Sequence, residues 1–174
     1  YLLTPISNRV KAGQLSLPPR VTLVVDEAAV AAIDGGDGLG AVAGKLAADI
    51  SIERAMKFGI SLALIRNTNS LGALAYYTEM VARQGMIALM ACNAAPAMPP
   101  WGGAEAFLGT NPFAIGIYTG KDMLFSADMA SSIVARGKIR KAAREGKPIP
   151  NDWAVDEDGN FTTDPVAALK GTLL

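Results

Sequence analysis

Histidine is missing from all 174 residues, and that absence removes more chemistry than any other feature of the composition. It is the side chain whose ordinary pKa lies nearest neutral pH. A Ser-His-Asp triad, a Cys-His pair and a His-rich zinc site are therefore excluded within the chain. Cysteine is almost as scarce. Cys92 stands alone, so no intrachain disulfide can form, and the sequence fits a reducing compartment, with the cytoplasm as the default expectation. Excess charge is lacking too: 16 Lys and Arg balance 16 Asp and Glu. Nothing in that balance draws the whole chain to nucleic acid or an anionic membrane, and small molecules or proteins are the expected partners. Mean hydropathy is high at +0.27, yet Arg, Lys, Asp, Asn, Gly and Pro break every apolar run before it could span a bilayer.

What the sequence does hold is apolar material, at 51% of residues. That is enough for a substantial core, and one domain over residues 1–174 is the expectation, with the apolar excess buried or forming an oligomer interface. Tyr1 is not an initiator Met and does not open a signal peptide, and Leu173-Leu174 carries no obvious stop signal, so both ends read as cut.

Along the chain, β-prone and helical patterns alternate. Val21 to Val25 and Ala29 to Ile33 read as strands, followed by a glycine loop at Asp34-Gly35-Gly36-Asp37-Gly38. Val42, Leu46, Ile50, Ile52 and Met56 recur at mostly helical spacing from Leu39 to Phe58, and Gly59 is placed to cap that helix. Ile60 to Ile65 reads as a strand, Gly72 to Gln84 as a helix stopped by Gly85, and Met86 to Ala91 as a buried strand. A Pro- and Gly-rich loop from Asn93 to Asn111 is too long to be plain spacer. Strands at Phe113 to Tyr118 and Leu124 to Asp128, a basic helix at Ala130 to Glu145, a break at Lys147-Pro148-Ile149-Pro150 and a short helix from Asp164-Pro165 complete the reading. The alternation supports an α/β or α+β layered domain.

Most motifs have ordinary explanations. Gly36-Asp37-Gly38-Leu39-Gly40-Ala41 imitates a dinucleotide-binding glycine fingerprint, but Asp34 and Asp37 would place negative charge beside the phosphate, so a structural turn and helix cap is preferred. Gly44-Lys45 lacks the other residues of a Walker loop. Asp156-x-Asp158-x-Asn160 lacks the glycine and closing glutamate of a calcium loop, and an exposed polar hairpin is expected. Arg136, Lys138, Arg140, Lys141 and Arg144 read as a solvated helix face, one of them being open to a cofactor phosphate. Tyr76, Tyr77 and Met80 read as core, and Asn67, Thr68, Asn69 and Ser70 as short polar capping residues.

Four blocks stand out together: Asp37-Gly38-Leu39-Gly40 with Val42-Ala43-Gly44, Asn67 to Tyr77, Asn93-Ala94-Ala95-Pro96 through Trp101-Gly102-Gly103, and Gly109-Thr110-Asn111-Pro112. Their order and spacing resemble the type 2 malate/lactate dehydrogenase family. Asp128 to Ser132, Ala135 to Ile139, Gly146 to Pro150 and Thr162 to Pro165 extend the match over nearly the whole chain. The resemblance implies a layered mixed-sheet fold that is not the ordinary Rossmann domain, and the central, nicotinamide-binding part of a longer chain. It implies hydride transfer between NAD or NADP and a small 2-hydroxy or 2-oxo acid, in a homo-oligomer, a dimer by the family's habit, that takes a carboxylate substrate.

It also implies site residues. Ala94, Thr110, Asn111, Pro112, Asp128, Met129 and Ala130 would line the cofactor. The family's Asn-His-Phe-Gly run, whose histidine transfers a proton, stands here as Asn69-Ser70-Leu71-Gly72. A serine hydroxyl stays protonated at neutral pH and needs a further base to act as imidazole does, although Ser70 could donate a hydrogen bond to a substrate oxygen. Three readings remain open: the core of a true oxidoreductase whose histidine lies outside this chain, a divergent member that binds without efficient turnover, and a structural fragment that associates with its own copies.

Overall fold

The computed structural model describes residues 3–120 and 123–174; Tyr1 lies outside the described residues. In chain order the elements are α1 (Leu3–Lys11), β1 (Thr22–Glu27), β2 (Val30–Gly38), α2 (Gly40–Phe58), β3 (Leu62–Thr68), α3 (Ala75–Ala82), β4 (Ile87–Ala91), β5 (Pro96–Met98), β6 (Leu108–Gly109), β7 (Phe113–Gly120), β8 (Met123–Met129), α4 (Arg136–Glu145), β9 (Ala154–Val155), α5 (Pro165–Lys170) and β10 (Thr172–Leu173). By contact the chain divides into two compact units, Tyr1–Met90 with Ala114–Ala127, and Ala91–Phe113 with Asp128–Leu174. The architecture is mixed α/β with small mixed sheets, as the alternating pattern requires.

In the first unit, β1 pairs antiparallel with β2, and β2 pairs parallel with β3, setting Ile33 opposite Ile65 and Ala31 opposite Ala63. A parallel pair needs a crossover, and α2 supplies it. Ala43 and Ala47 of the helix pack on Ile33, with Leu46, Ile50, Ala63 and Ile65 around them. Gly59 closes α2 in the left-handed region at φ +81°, its N–H donating to the Ala55 carbonyl at 2.8 Å. A second sheet has the order β4-β7-β8, and Gly116 of β7 lies close against the Thr78 backbone of α3.

Several expected boundaries move. The glycine run is not a loop: β2 continues through it to Gly38, with its register to β3 interrupted between Asp34 and Gly38. The cause is close packing, since a Cβ on Gly36 would stand 2.4 Å from the Arg20 carbonyl oxygen and one on Gly38 would stand 2.5 Å from Pro19. The helix expected from Gly72 begins at Ala75, because Gly72 adopts φ +79°, which a helix cannot continue. The helix expected from Ala130 begins at Arg136. There the Ser131 and Ser132 hydroxyls donate to the Thr110 and Val134 carbonyls at 2.9 and 2.8 Å, and such side-chain bonds compete with helix formation. Helix α1 is an element the periodicity reading does not anticipate.

The second unit is built around Ile139, Val134, Ile149, Ala154, Ala168 and Leu173. Ile139 is the buried residue of α4, which leaves Lys138, Arg140, Lys141 and Arg144 exposed. Arg136 is different: its guanidinium donates to the Leu169 carbonyl at 2.7 Å. The long loop is partly strand, β5 pairing antiparallel with β6. Asp164 accepts the Val166 N–H at 2.9 Å and caps α5, which starts on Pro165. Asp156 accepts the N–H groups of Asp158 and Asn160, closing a polar turn over which Val155 bridges Phe161.

The apolar excess is only partly internal. On β3, Ala63 and Ile65 meet α2 while Leu62 and Leu64 on the alternate positions stay 53% and 55% exposed. Ile87 and Leu89 of β4 are likewise exposed.

Candidate functional site

Ser70 lies in the first unit, just past the end of β3, and its side chain is exposed. Its hydroxyl oxygen accepts the Gly72 N–H at a long 3.4 Å. The residues around it are held more firmly. Asn69 donates its amide N–H to the Gly38 carbonyl at 3.1 Å, and its side-chain Nδ2 to the carbonyls of Asp37 at 3.0 Å and Gln14 at 3.3 Å. Its Oδ1 accepts from Arg9 at 2.8 Å. These short polar residues were expected to cap the following helix. Instead they join β3 to the β2 end, because α3 starts later and has Leu74 at its cap with no side-chain bond.

Asp34 organises the same strand ends. Its carboxylate accepts from the Gly36 N–H at 2.9 Å, from Asn67 Nδ2 at 2.8 Å and from Arg66 Nε at 3.0 Å. The Gly36 amide above all, then Asn67 and Arg66, hold its carboxyl below the usual carboxylate range. Asn67 sits at φ +49°, a conformation asparagine tolerates better than most residues.

Of the two tyrosines read as core, only Tyr77 is buried; Tyr76 is 60% exposed. Their rings meet edge to face at 5.2 Å. The Tyr77 hydroxyl donates to the Leu71 carbonyl at 2.6 Å, and burial, followed by the neighbouring Tyr76, pushes its pKa up. Ala41, Val42 and Lys45 of α2, with Leu71, Ala73, Tyr76 and Tyr77, line an open groove of about 550 Å³ that begins one residue from Ser70. Lys45 is ion-paired there with Asp49 at 2.6 Å.

The other expected residues lie in the second unit. Asn111 Oδ1 accepts the Ala94 N–H at 2.9 Å, which ties two distant loop positions together. The Thr110 carbonyl accepts both the N–H and the hydroxyl of Ser131, each at 2.9 Å, so the residue after Ala130 is fastened to the same loop. The Pro112 carbonyl accepts the Cys92 N–H at 3.1 Å. Burial first and the Asp128 carboxylate second raise the Cys92 thiol pKa, so its reactive thiolate form is suppressed. Asp128 and Met129, at the end of β8, are exposed. Ala94, Thr110, Asn111, Pro112 and the Asp128–Ala130 segment therefore gather in one unit, and Ser70 belongs to the other.

Two glycines of α2 help to fix the Ser70 loop, a role that their place in the sequence motifs does not reveal. Gly40 and Gly44 are buried, and a Cβ on Gly40 would stand 2.3 Å from the Asn69 carbonyl oxygen. Their spacing of one helical turn signals a close approach along one face of α2. Ser131, which was noted only as part of a matching block, anchors Thr110.

A family model described as malate/L-lactate dehydrogenase matches residues 2–174. An L-sulfolactate dehydrogenase from Methanocaldococcus jannaschii is 44% identical over 165 residues, covering 95% of this chain and 48% of that protein. A malate dehydrogenase from Pyrococcus horikoshii is 39% identical, covering 94% of this chain and 45% of its own length. The crystal structure of malate dehydrogenase from Entamoeba histolytica superposes with a TM-score of 0.90 at 30% identity, covering 96% of this chain and 48% of the other. The chain thus spans about half the length of the curated relatives it matches. The blocks that run from Asp37 to Pro165, the mixed-sheet architecture and a model match over nearly every residue agree: this chain belongs to the malate/L-lactate dehydrogenase family.

Proposed function

We propose that this chain is the central, nicotinamide-binding part of an oxidoreductase that interconverts small 2-hydroxy and 2-oxo acids. The observation that supports it best is the tying of Ala94 to Asn111 and of Thr110 to Ser131, which fixes the loops where the family resemblance places the cofactor. Backbone and short polar groups at strand ends can hold a dinucleotide without a glycine-rich phosphate loop. The residue types present suit such a ligand: Asp128 brings a carboxylate that can accept from ribose hydroxyls, and Met129 an apolar side chain for a ring. Ala94, Thr110, Asn111, Pro112, Asp128, Met129 and Ala130 would hold NAD or NADP. The bound nicotinamide would accept the hydride that leaves C2 of the hydroxy acid, or return it.

On this reading Ser70 donates a hydrogen bond to the substrate oxygen on C2. It does not take up the hydroxyl proton, because a neutral serine is not a base; that proton passes to a base outside this chain, a histidine by the family resemblance, which returns it when the 2-oxo acid is reduced. Among the relatives, ureidoglycolate dehydrogenase from Escherichia coli carries NAD(+) in its name, and this favours NAD over NADP here. Self-association as a homodimer through the exposed apolar strand faces, and a cytoplasmic setting in which Cys92 stays a thiol, complete the reading.

A second reading is favoured by Ser70 itself. A family member with serine at the histidine position binds cofactor and carboxylate but turns over slowly. The deciding experiment follows nicotinamide absorbance in the full-length protein with malate, lactate, sulfolactate and the matching 2-oxo acids, beside fluorescence titration with NADH and NADPH. Steady turnover establishes the first reading. Saturable binding without turnover establishes the second, and neither binding nor turnover overturns both.

A further inference from the structure

The hydroxyl of Ser70 has no strong hydrogen bond to set its direction, so its placement comes from the backbone that carries it. That backbone is gripped on both sides. Before it, the amide and side chain of Asn69 engage Gly38, Asp37, Gln14 and Arg9. After it, the Leu71 carbonyl takes the short 2.6 Å bond from the Tyr77 hydroxyl. Beneath it lies Gly40, where a Cβ would stand 2.4 Å from the Ser70 carbonyl oxygen. Tyr77 is itself fixed, being 4% exposed and seated on Gly44.

Without those bonds, a loop with Ser70 exposed and Gly72 in the left-handed region would sample several arrangements. This degree of restraint exceeds what a plain connection between β3 and α3 requires. A group that donates to one substrate atom, in contrast, has to be held to about 0.5 Å.

We infer that Asn69 and Tyr77 are positioning residues for Ser70, clamping the Asn69–Gly72 loop so that the Ser70 hydroxyl meets the oxygen on C2 of a bound 2-oxo acid. Both act through the backbone of the Ser70 loop. The inference rests on the oxidoreductase reading above, and it adds the residues through which position 70 is set.

Tyr77→Phe keeps the ring and removes the bond to Leu71, while Asn69→Asp keeps the acceptor for Arg9 and removes the donors to Asp37 and Gln14. In the full-length protein Tyr77→Phe, which loses one ordering hydrogen bond, is expected to lower kcat by about fivefold, and Asn69→Asp, which loses two, by at least as much. KM for the nicotinamide cofactor should stay within about twofold, and in a Ser70→Ala background the loss should vanish, since residues acting through one group are not additive. Amide exchange at residues 69–72 should quicken in both variants while that of β2 stays unchanged.

An equal loss of kcat with and without Ser70, or no loss at all, would overturn the inference and leave Asn69 and Tyr77 structural. A full-length protein with no turnover would overturn the oxidoreductase reading instead. The clamp is then judged by alkylation of Ser70→Cys in a Cys92→Ser background with iodoacetamide. A rate changed by more than about twofold on adding Tyr77→Phe supports the clamp, and an unchanged rate overturns it.

Discussion

Gly44 and Tyr77 meet with no room between them: a Cβ on Gly44 would stand 2.7 Å from two ring carbons of Tyr77 and 3.0 Å from its hydroxyl oxygen. The contact joins α2 to α3, and through the Tyr77 hydroxyl it reaches the loop that carries Ser70. Gly44→Ala should therefore destabilise the protein by about 1–3 kcal/mol, the usual cost of overpacking, even though alanine is the better helix former. Tyr77→Phe should cost only about 1 kcal/mol, one hydrogen bond. Urea unfolding of both variants ranks them. A Gly44→Ala variant as stable as its parent would show that α3 can move aside.

Asp34 gives the first unit an acid-sensitive joint. Its folded pKa is held below the unfolded value, chiefly by the Gly36 N–H and next by Asn67. The stability it contributes is fully present above about pH 4, the ordinary aspartate value. It is lost as pH falls through the lower folded value, because the unfolded chain then binds the proton more readily. Asp34→Asn should lower Tm at neutral pH, and the gap to the parent should close in acid. Thermal melts at a series of pH values check this; a gap that stays constant would show that the carboxylate charge contributes nothing.

Local patterns carried much of the fold. The periodicity of Leu46 and Ile50, the stop at Gly59 and the helix start at Asp164-Pro165 each depend on neighbours within a turn or two, and each is found where the sequence placed it. The glycine run misled because its reason lies elsewhere: Gly36 and Gly38 are small to fit Arg20 and Pro19, which no local signal announces. Ser131 misled in the same way, its partner Thr110 being 21 positions distant. The Ser70 loop was legible as a family block but not as a clamp, since Asn69 reaches Asp37 and Gln14 across 32 and 55 positions.

Arg54 is a buried cation with a structural purpose. On α2 its side chain is 10% exposed, and its guanidinium donates to the Val30 carbonyl and the Asp26 carboxylate, fastening the β1–β2 turn to the helix. Arg54→Met should cost about 2–3 kcal/mol, because the Val30 carbonyl loses its donor while methionine replaces only the stem. Asp26→Asn should cost under about 1 kcal/mol, since that carboxylate is 72% exposed and well hydrated. Denaturant titration of the two variants tests this inequality, and a larger loss in Asp26→Asn would mean that the ion pair outweighs the bond to the carbonyl.

Asn111 offers the sharpest test of the proposed cofactor loops. Its Oδ1 is the acceptor for the Ala94 N–H, and its backbone adopts φ +24° beside Gly109, where a Cβ would meet the Ala94 carbonyl oxygen at 2.2 Å. Asn111→Ala removes the acceptor, frees Ala94 and should weaken NADH binding about tenfold, equivalent to about 1.4 kcal/mol. Asn111→Asp keeps an acceptor at the same atom and should restore the loop. Where the cofactor phosphates lie near, however, the added charge would weaken binding and make it less unfavourable as salt rises. Fluorescence titration of the full-length variants at low and high salt separates these effects. If Asn111→Ala binds NADH as tightly as its parent while unfolding at a lower temperature, Asn111 serves the fold alone, and the cofactor must be sought away from this loop.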